Sequence, residues 1–438
     1  MNTSDTTCKM DEMTLTEAGG PLHGTLRVPG DKSISHRAVM FGSIAEGDTH
    51  IRHFLRAQDC LSTMSCFRSM GIDIEDDGAA VVVHGRGLHG LSQPQSRLDA
   101  GNSGTTTRLI SGILAAQPFE TTLTGDESVC RRPMNRIIDP LTRMGADITS
   151  LQGSGCAPLR IRGRNLTGID YVSPVASAQV KSCLLLAGLY ASGRTCVTEP
   201  VRSRDHTERM LRACGADLTV DGLTVQVKPA SRLWACDVDV PADPSSAAYF
   251  IAAALIVPGS EVRLEDVCIN PTRSGFLTAC RNMGADIEET GVREVCGEQV
   301  CDLIVRSSSL HGTRIGGEII PSLIDELPIL AVLAAYADGE TVISDARELR
   351  VKESDRIASM TAALSALGIQ VQEHEDGMTI TGGPLHGGFI DTHDDHRVAM
   401  SMAVAALGSS SPVRISHPQC IRISYPGFFE DLGLLLRS

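Results

Sequence analysis

One phrase, a helix closed by glycine and continued as a strand, recurs six times along the chain. It reads SMGIDIE at Gly71, RMGADIT at Gly145, ACGADLT at Gly215, NMGADIE at Gly284, ALGIQVQ at Gly368 and a degenerate DLGLLL at Gly433. The intervals are 74, 70, 69, 84 and 65 residues, so six units of similar length tile the 438 residues. Ahead of the glycines, segments such as HTERMLRACG and RPMNRIIDPLTRMG place apolar residues at three- and four-residue steps, the period of an amphipathic helix. Glycine tolerates the left-handed conformation that ends such a helix, and the alternating residues after it predict a strand. The inner units add further strands, AAVVVHGRG, APLRIRGRN and GLTVQVKP. Each phrase is preceded by a second helix rich in Ala and Leu: HRAVMFGSIA, TTTRLISGILAA, AQVKSCLLLAGLYA, SSAAYFIAAALI, ELPILAVLAAYA and RVAMSMAVAAL. Each unit is therefore a small sheet with two helices. It is too long for a solenoid repeat and serves better as part of a domain.

A chain of this length exceeds what one core usually organises, so two domains are expected. Two nearly identical switches, RVPGDKSISHRA and DVPADPSSAAYF, run a strand through a proline turn into a helix cap and mark the crossings between them. The expected division is 31–240 for one domain, and 1–30 with 241–438 for the other.

The net charge of −14 argues against general nucleic-acid binding, and an anionic substrate would need a local basic cluster. Only five of the 39 basic residues are lysines: Lys9, Lys32, Lys181, Lys228 and Lys352. No apolar stretch is long enough for a membrane span, and the opening residues lack a signal-peptide core. The 14 cysteines form no C-x-x-C pair and most sit in apolar or helical contexts, as buried thiols of a cytoplasmic protein would. The mean hydropathy of +0.02 fits a soluble globular chain.

Every Ala-rich helix begins with a polar loop: GDKSISHR, DAGNSGTTTR, SPVASAQVKS, ADPSSAA, PSLIDELP and THDDHR. Helix N-termini present unpaired N–H groups and a positive dipole end, so several aimed at one cleft would make an anion trap. The segments PGDKSISHR, GNSGTTTR, RRPM, SAQVKS, RSRDHTERML, LRVKESDR and DDHRVAM resemble, in order and spacing, the motif series of EPSP synthases, from about Thr14 to Leu436. The resemblance implies an α/β fold: an inside-out α/β barrel of six βαβαββ repeats in two domains, with the site in the cleft between. It implies transfer of the enolpyruvyl group of phosphoenolpyruvate to the 5-hydroxyl of shikimate 3-phosphate, with no cofactor and no metal. The expected partners are these small anions alone, with no nucleic acid, no membrane and a monomeric chain.

Carried over position by position, the resemblance assigns shikimate 3-phosphate to Lys32, Ser33, Arg37, Ser177, Gln179, Arg204, Asp325 and Lys352. It assigns phosphoenolpyruvate to Lys32, Gly104, Arg132, Gln179, Arg356 and Arg397, with Arg131 a less certain neighbour of Arg132. Asp325 is implied as the base at the reacting hydroxyl, with Lys352, Glu353 and Lys32 in proton traffic and catalysis. The chemistry suits these types: lysine is a point charge for phosphate, arginine a planar fork for carboxylate or phosphate, and glycine lets a ligand approach the backbone. A carboxylate beside bound phosphates is expected to have a raised pKa.

One departure concerns a lysine that some members carry before the final aromatic-Pro. Here Ile423 occupies that place beside Arg422, so either Arg422 takes over the charge or the site does without it. The rival reading, enolpyruvyl transfer to UDP-N-acetylglucosamine, uses a cysteine five residues ahead of its arginine, whereas Cys130 is two ahead of Arg132. A non-catalytic scaffold of the same fold and an RNA-end-modifying relative are the other rivals. His393 and His396 are close enough in sequence to suggest a metal, but no third ligand stands near.

Overall fold

The computed structural model of the protein describes residues 12–437. Gly71, Gly145, Gly215, Gly284 and Gly368 adopt φ values from 87° to 96°, the region a Cβ disfavours. They stand just beyond helices Gln58–Ser69, Asn135–Arg143, His206–Ala213, Gly275–Asn282 and Arg356–Ala366, and a strand follows each. The sixth phrase departs from expectation. Gly433 lies inside helix Phe428–Leu435 and no strand follows it. The sixth sheet instead takes Glu12–Leu15 from the N-terminal end, paired antiparallel with Val413–Ser416.

Six small sheets result, five of four strands and one of three. Each holds one parallel pair, and two of these pairs borrow a strand across the sequence. Val238–Asp239 lies parallel to Glu46–Arg52, completing the first unit with chain from the end of the third. His23–Leu26 lies parallel to Glu261–Cys268 in the fourth. The two crossings run side by side, tied by Asp31 N–H donating to Pro241 O at 2.8 Å and Asp243 N–H to Pro29 O at 2.9 Å.

The Ala-rich segments form helices Lys32–Ile44, Gly104–Leu114, Ala178–Gly188, Pro244–Ile256, Leu327–Tyr336 and His396–Ala405. They are buried nearly all round, as their lack of a polar face requires. Small residues let them approach closely: a Cβ on Gly112 would lie 2.1 Å from Cys183 O of the neighbouring helix. Their apolar side chains divide into two hydrophobic cores. One runs from Ile34 to Val240, and the other joins Leu22, Leu26 and Val28 to residues from Ala242 onward. The six helices thus sit inside and the sheets outside, which turns the polar helix starts of both cores toward one cleft.

Candidate active site

Five of these helix starts are capped by their own side chains. Asp31, Ser103, Ser177, Asp243 and Asp395 each accept a backbone N–H from the first turn, which fixes the loop just ahead of each helix. A cavity of ≈ 120 Å³ lies between the two cores. Lys32, Ser33, Gly104, Arg132, Gln179 and Arg204 line it from the 31–240 side, and Asp325, Lys352, Glu353, Arg356 and Arg397 from the other. A wider compartment of ≈ 580 Å³ adjoins it, sharing Gln179, Arg204, Asp325 and Lys352 and adding Ser177. Arg37 lines neither. Its guanidinium lies behind Ser33, donating to Ser33 O at 2.9 Å, Thr207 Oγ1 at 2.7 Å and Ser182 Oγ at 2.9 Å.

Asp325 is the hub. Arg204 donates to Oδ2 at 2.5 Å and Lys352 to Oδ1 at 3.2 Å; Arg356 Nη1 stands 3.6 Å from Oδ1, and Arg397 donates to the Asp325 carbonyl at 2.8 Å. Burial would raise the Asp325 pKa, but Lys352, Arg204, Arg397 and Arg356 outweigh it and hold the carboxyl well below its ordinary 3.8. Among the protein's own groups, therefore, the shift runs opposite to the one expected beside bound phosphates. Glu353 behaves alike: burial opposes ionisation, while chiefly Arg356 and Arg132, with Lys32, hold it well below 4.5. It receives Arg356 Nη2 at 2.6 Å and stands 3.7 Å from Arg132 Nη2. Glu353 is thus a carboxylate at neutral pH and must gain a proton before it can give one.

Lys32 Nζ rests on Asp59 Oδ2 at 3.0 Å, and burial, which would lower its pKa, is overcome chiefly by the Asp59 charge, so it stays an ammonium. Arg132 donates to Asn102 Oδ1 and Ser128 Oγ, both at 3.0 Å. Gln179 is gripped from both ends, accepting from Arg108 Nη1 at 2.6 Å and donating to Thr105 Oγ1 at 3.0 Å. A Cβ on Gly104 would fall 3.0 Å from the Nη1 atoms of both Arg108 and Arg132. Arg132 Nε, Arg356 Nη1 and both ring nitrogens of His396 are buried with no hydrogen-bond partner in the protein, unspent capacity in residues that line the cavity.

Several lining residues escaped the sequence reading. Arg108 closes the GNSGTTTR motif, and Asp243 and Ser245 belong to the second switch, so signals for them existed. His396 was considered only as a metal ligand; it is buried, and burial pushes its pKa down to about 3, leaving it neutral. Asp59 and Arg273 carried no local signal, because only the fold brings them in. Arg273 donates to Asp243 Oδ1 and Ser245 Oγ, both at 2.9 Å, at the base of the crossings. Arg422 is exposed, and neither it nor Ile423 lines the cavity. Cys130 is also absent from the lining; its thiol faces Gly125 O at 3.4 Å.

Six inward helices with outward sheets, and a cation-lined cleft between two cores, define a two-core α/β architecture shared with enolpyruvyl transferases of known structure. The enolpyruvyl transferase NikO from Streptomyces tendae superimposes with a TM-score of 0.78 over 97% of each chain, at 19% identity, a likeness of fold alone. The chain belongs to the EPSP synthase (3-phosphoshikimate 1-carboxyvinyltransferase) family, whose model matches residues 16–432. The 3-phosphoshikimate 1-carboxyvinyltransferase of Alkaliphilus metalliredigens is 52% identical over 97% of this chain and 100% of its own length. That of Methylococcus capsulatus is 54% identical over 95% and 96%. An EPSP synthase structure from Acinetobacter baumannii matches with a TM-score of 0.87 and 44% identity, covering 97% of this chain and 98% of that one.

Proposed function

We propose that this protein transfers the enolpyruvyl group of phosphoenolpyruvate to the 5-hydroxyl of shikimate 3-phosphate, releasing phosphate. The observation that carries the reading is that Lys32, Arg132, Asp325 and Arg397, from both cores, line one cavity. Phosphoenolpyruvate binds there among Lys32, Gly104, Arg132, Gln179, Arg356 and Arg397. Shikimate 3-phosphate takes the wider compartment against Ser177, Gln179, Arg204 and Lys352, with Lys32 and Ser33 at its inner end. Arg37 supports Ser33 from behind, with three of its five N–H donors already used in the protein.

The cations that hold Asp325 ionised are those a phosphate or carboxylate would engage. As the substrates draw Arg204, Lys352 and Arg397 toward themselves, the Asp325 pKa rises and the carboxylate becomes a useful base. It accepts the hydroxyl proton as that oxygen bonds to C2 of phosphoenolpyruvate, and Lys352 or a protonated Glu353 delivers a proton to C3. The tetrahedral adduct then loses phosphate from C2 and a proton from the new methyl, restoring the double bond. The cationic walls stabilise charge developing on the carboxylate and phosphate throughout.

The same reading divides the chain into domains 1–30 with 241–438 and 31–240; the two hydrophobic cores and the paired crossings support it. It also takes the protein as a monomer in the cytoplasm. One chain supplies both sides of the cavity, and all thirteen described cysteines are free. Among the described residues no helix is long and apolar enough to cross a membrane. The test is phosphate release from phosphoenolpyruvate with each acceptor. Release with shikimate 3-phosphate but none with UDP-N-acetylglucosamine is expected; release with neither overturns the proposal.

A further inference from the structure

Besides Arg204–Asp325, two further ion pairs span the cleft. The inner one joins Arg132 to Glu353 at 3.7 Å, too long for a hydrogen bond. The outer one, at the rim of the wider compartment, joins Arg136 to Glu348 through two bonds, Nη1 to Oε2 at 2.7 Å and Nη2 to Oε1 at 2.9 Å. A fork-to-fork arginine–carboxylate pair fixes orientation as well as distance, which a single long contact does not.

Both members of the outer pair are stiffly connected to the inner one. Arg136 follows Arg132 by four residues, across Pro133 and into the first turn of helix Asn135–Arg143, and Met134 N–H is anchored to Gly155 O at 2.7 Å. Glu348 precedes Glu353 by five residues on the 3-10 turn Arg347–Val351. That turn is pinned by buried Leu349 and by Arg350, which donates to Asp355 at 2.8 Å, Glu373 at 2.9 Å, Glu375 O at 2.7 Å and His374 O at 2.6 Å. Neither Arg136 nor Glu348 lines the inner cavity. The inner residues are largely buried, whereas the pair at the rim is half-exposed and can break and remake at each turnover.

We propose that Arg136 and Glu348 are a positioning pair that, on closure of the cleft, seats Glu353 against Arg132 and Lys352 against Asp325 in the register the reaction needs. The proposal rests on the roles given to Glu353 and Lys352 above. Its chemistry is a reversible ion pair only; no bond is made or broken by it.

The test is steady-state kinetics of phosphate release by Arg136→Ala, Glu348→Gln, the exchange Arg136→Glu with Glu348→Arg, and each single change combined with Glu353→Gln. Each single change is expected to lower kcat on the order of tenfold, because a small misplacement of a catalytic group is costly. KM for shikimate 3-phosphate should move less than kcat, and the exchange should recover most of the loss. In the Glu353→Gln background the single changes should cost markedly less, the sign that they act through that residue. Singles with wild-type kcat, a loss confined to KM for shikimate 3-phosphate, or an exchange no better than the two singles combined would each overturn the proposal. Failure of the underlying reading is separately visible: Glu353→Gln would then turn over normally by itself.

Discussion

The two walls of the cleft are built from the same repeat, and each presents four cations, yet they differ in how many carboxylates stand among them. The wall from 31–240 presents Lys32, Arg108, Arg132 and Arg204, with Asp59 under Lys32 as its one lining carboxylate. The wall from the other core interleaves Asp243, Asp325 and Glu353 with Arg273, Lys352, Arg356 and Arg397. The first wall has positive charge to spare and suits capture of anions. The second is largely neutralised within itself, so on the proposed mechanism substrates exchange partners with its carboxylates, and that exchange makes a carboxylate reactive. On the proposed mechanism, capture and proton transfer are divided between the halves, and Arg204, which bonds Asp325 across the cleft, is one of the points where they meet.

The division is broken most severely at the reactive wall. Asp325→Asn removes the proposed proton acceptor and is expected to lower kcat by about 10²–10⁴. Binding of shikimate 3-phosphate, measured by calorimetry, should stay the same or tighten, because Arg204 and Lys352 lose a competing anion. At the capture wall, Arg132→Ala should instead raise KM for phosphoenolpyruvate by about thirtyfold or more, as loss of one partner of a desolvated charge pair does. Steady-state titration of that substrate reads it out. Gly104→Ala is a milder version. Its methyl would press on the ends of Arg108 and Arg132, which can give by a few tenths of an ångström, so a rise of about threefold to tenfold in the same KM is expected.

How much of this was legible in the sequence differs between the walls. Left-handed glycines at helix ends and caps at helix starts are local necessities, so five of the six phrases and the polar loops could be read directly. The sixth failed because its sheet is completed by Glu12–Leu15, a pairing no local pattern encodes. The motif residues were legible through resemblance, and all but Arg37, Ser177 and the less certain Arg131 line the inner cavity; Arg131 is exposed beside Glu127. Asp59 and Arg273 were invisible for a physical reason: each owes its place to a partner far along the chain, Lys32 for one and the Asp243–Ser245 crossing for the other. The downward shift at Asp325 was likewise not legible, since it sums four cations contributed by three separate segments.

The smallest expected effect sharpens the comparison at the crossings. Burial and the neighbouring Asp31 charge raise the Asp243 pKa to about 6, against Arg273 and Arg397. A carboxyl raised from its ordinary 3.8 contributes stability below about that value, and the contribution is lost as pH rises through about 6. Asp243→Asn cannot ionise, so its melting temperature relative to wild type should gain on the order of 1–3 °C between pH 5 and 7. His36 and His396, pushed down to about 3 by burial, shift stability the other way in both proteins and cancel in the difference.

The most direct measurement is a crystal structure of the Asp325→Asn protein with shikimate 3-phosphate and phosphoenolpyruvate together. Phosphoenolpyruvate should lie within hydrogen-bond distance of Lys32 and Arg132 on one wall and of Arg356 and Arg397 on the other, with the shikimate 5-hydroxyl at position 325. Either ligand held by one wall alone, or placed outside the two joined compartments, would contradict the account.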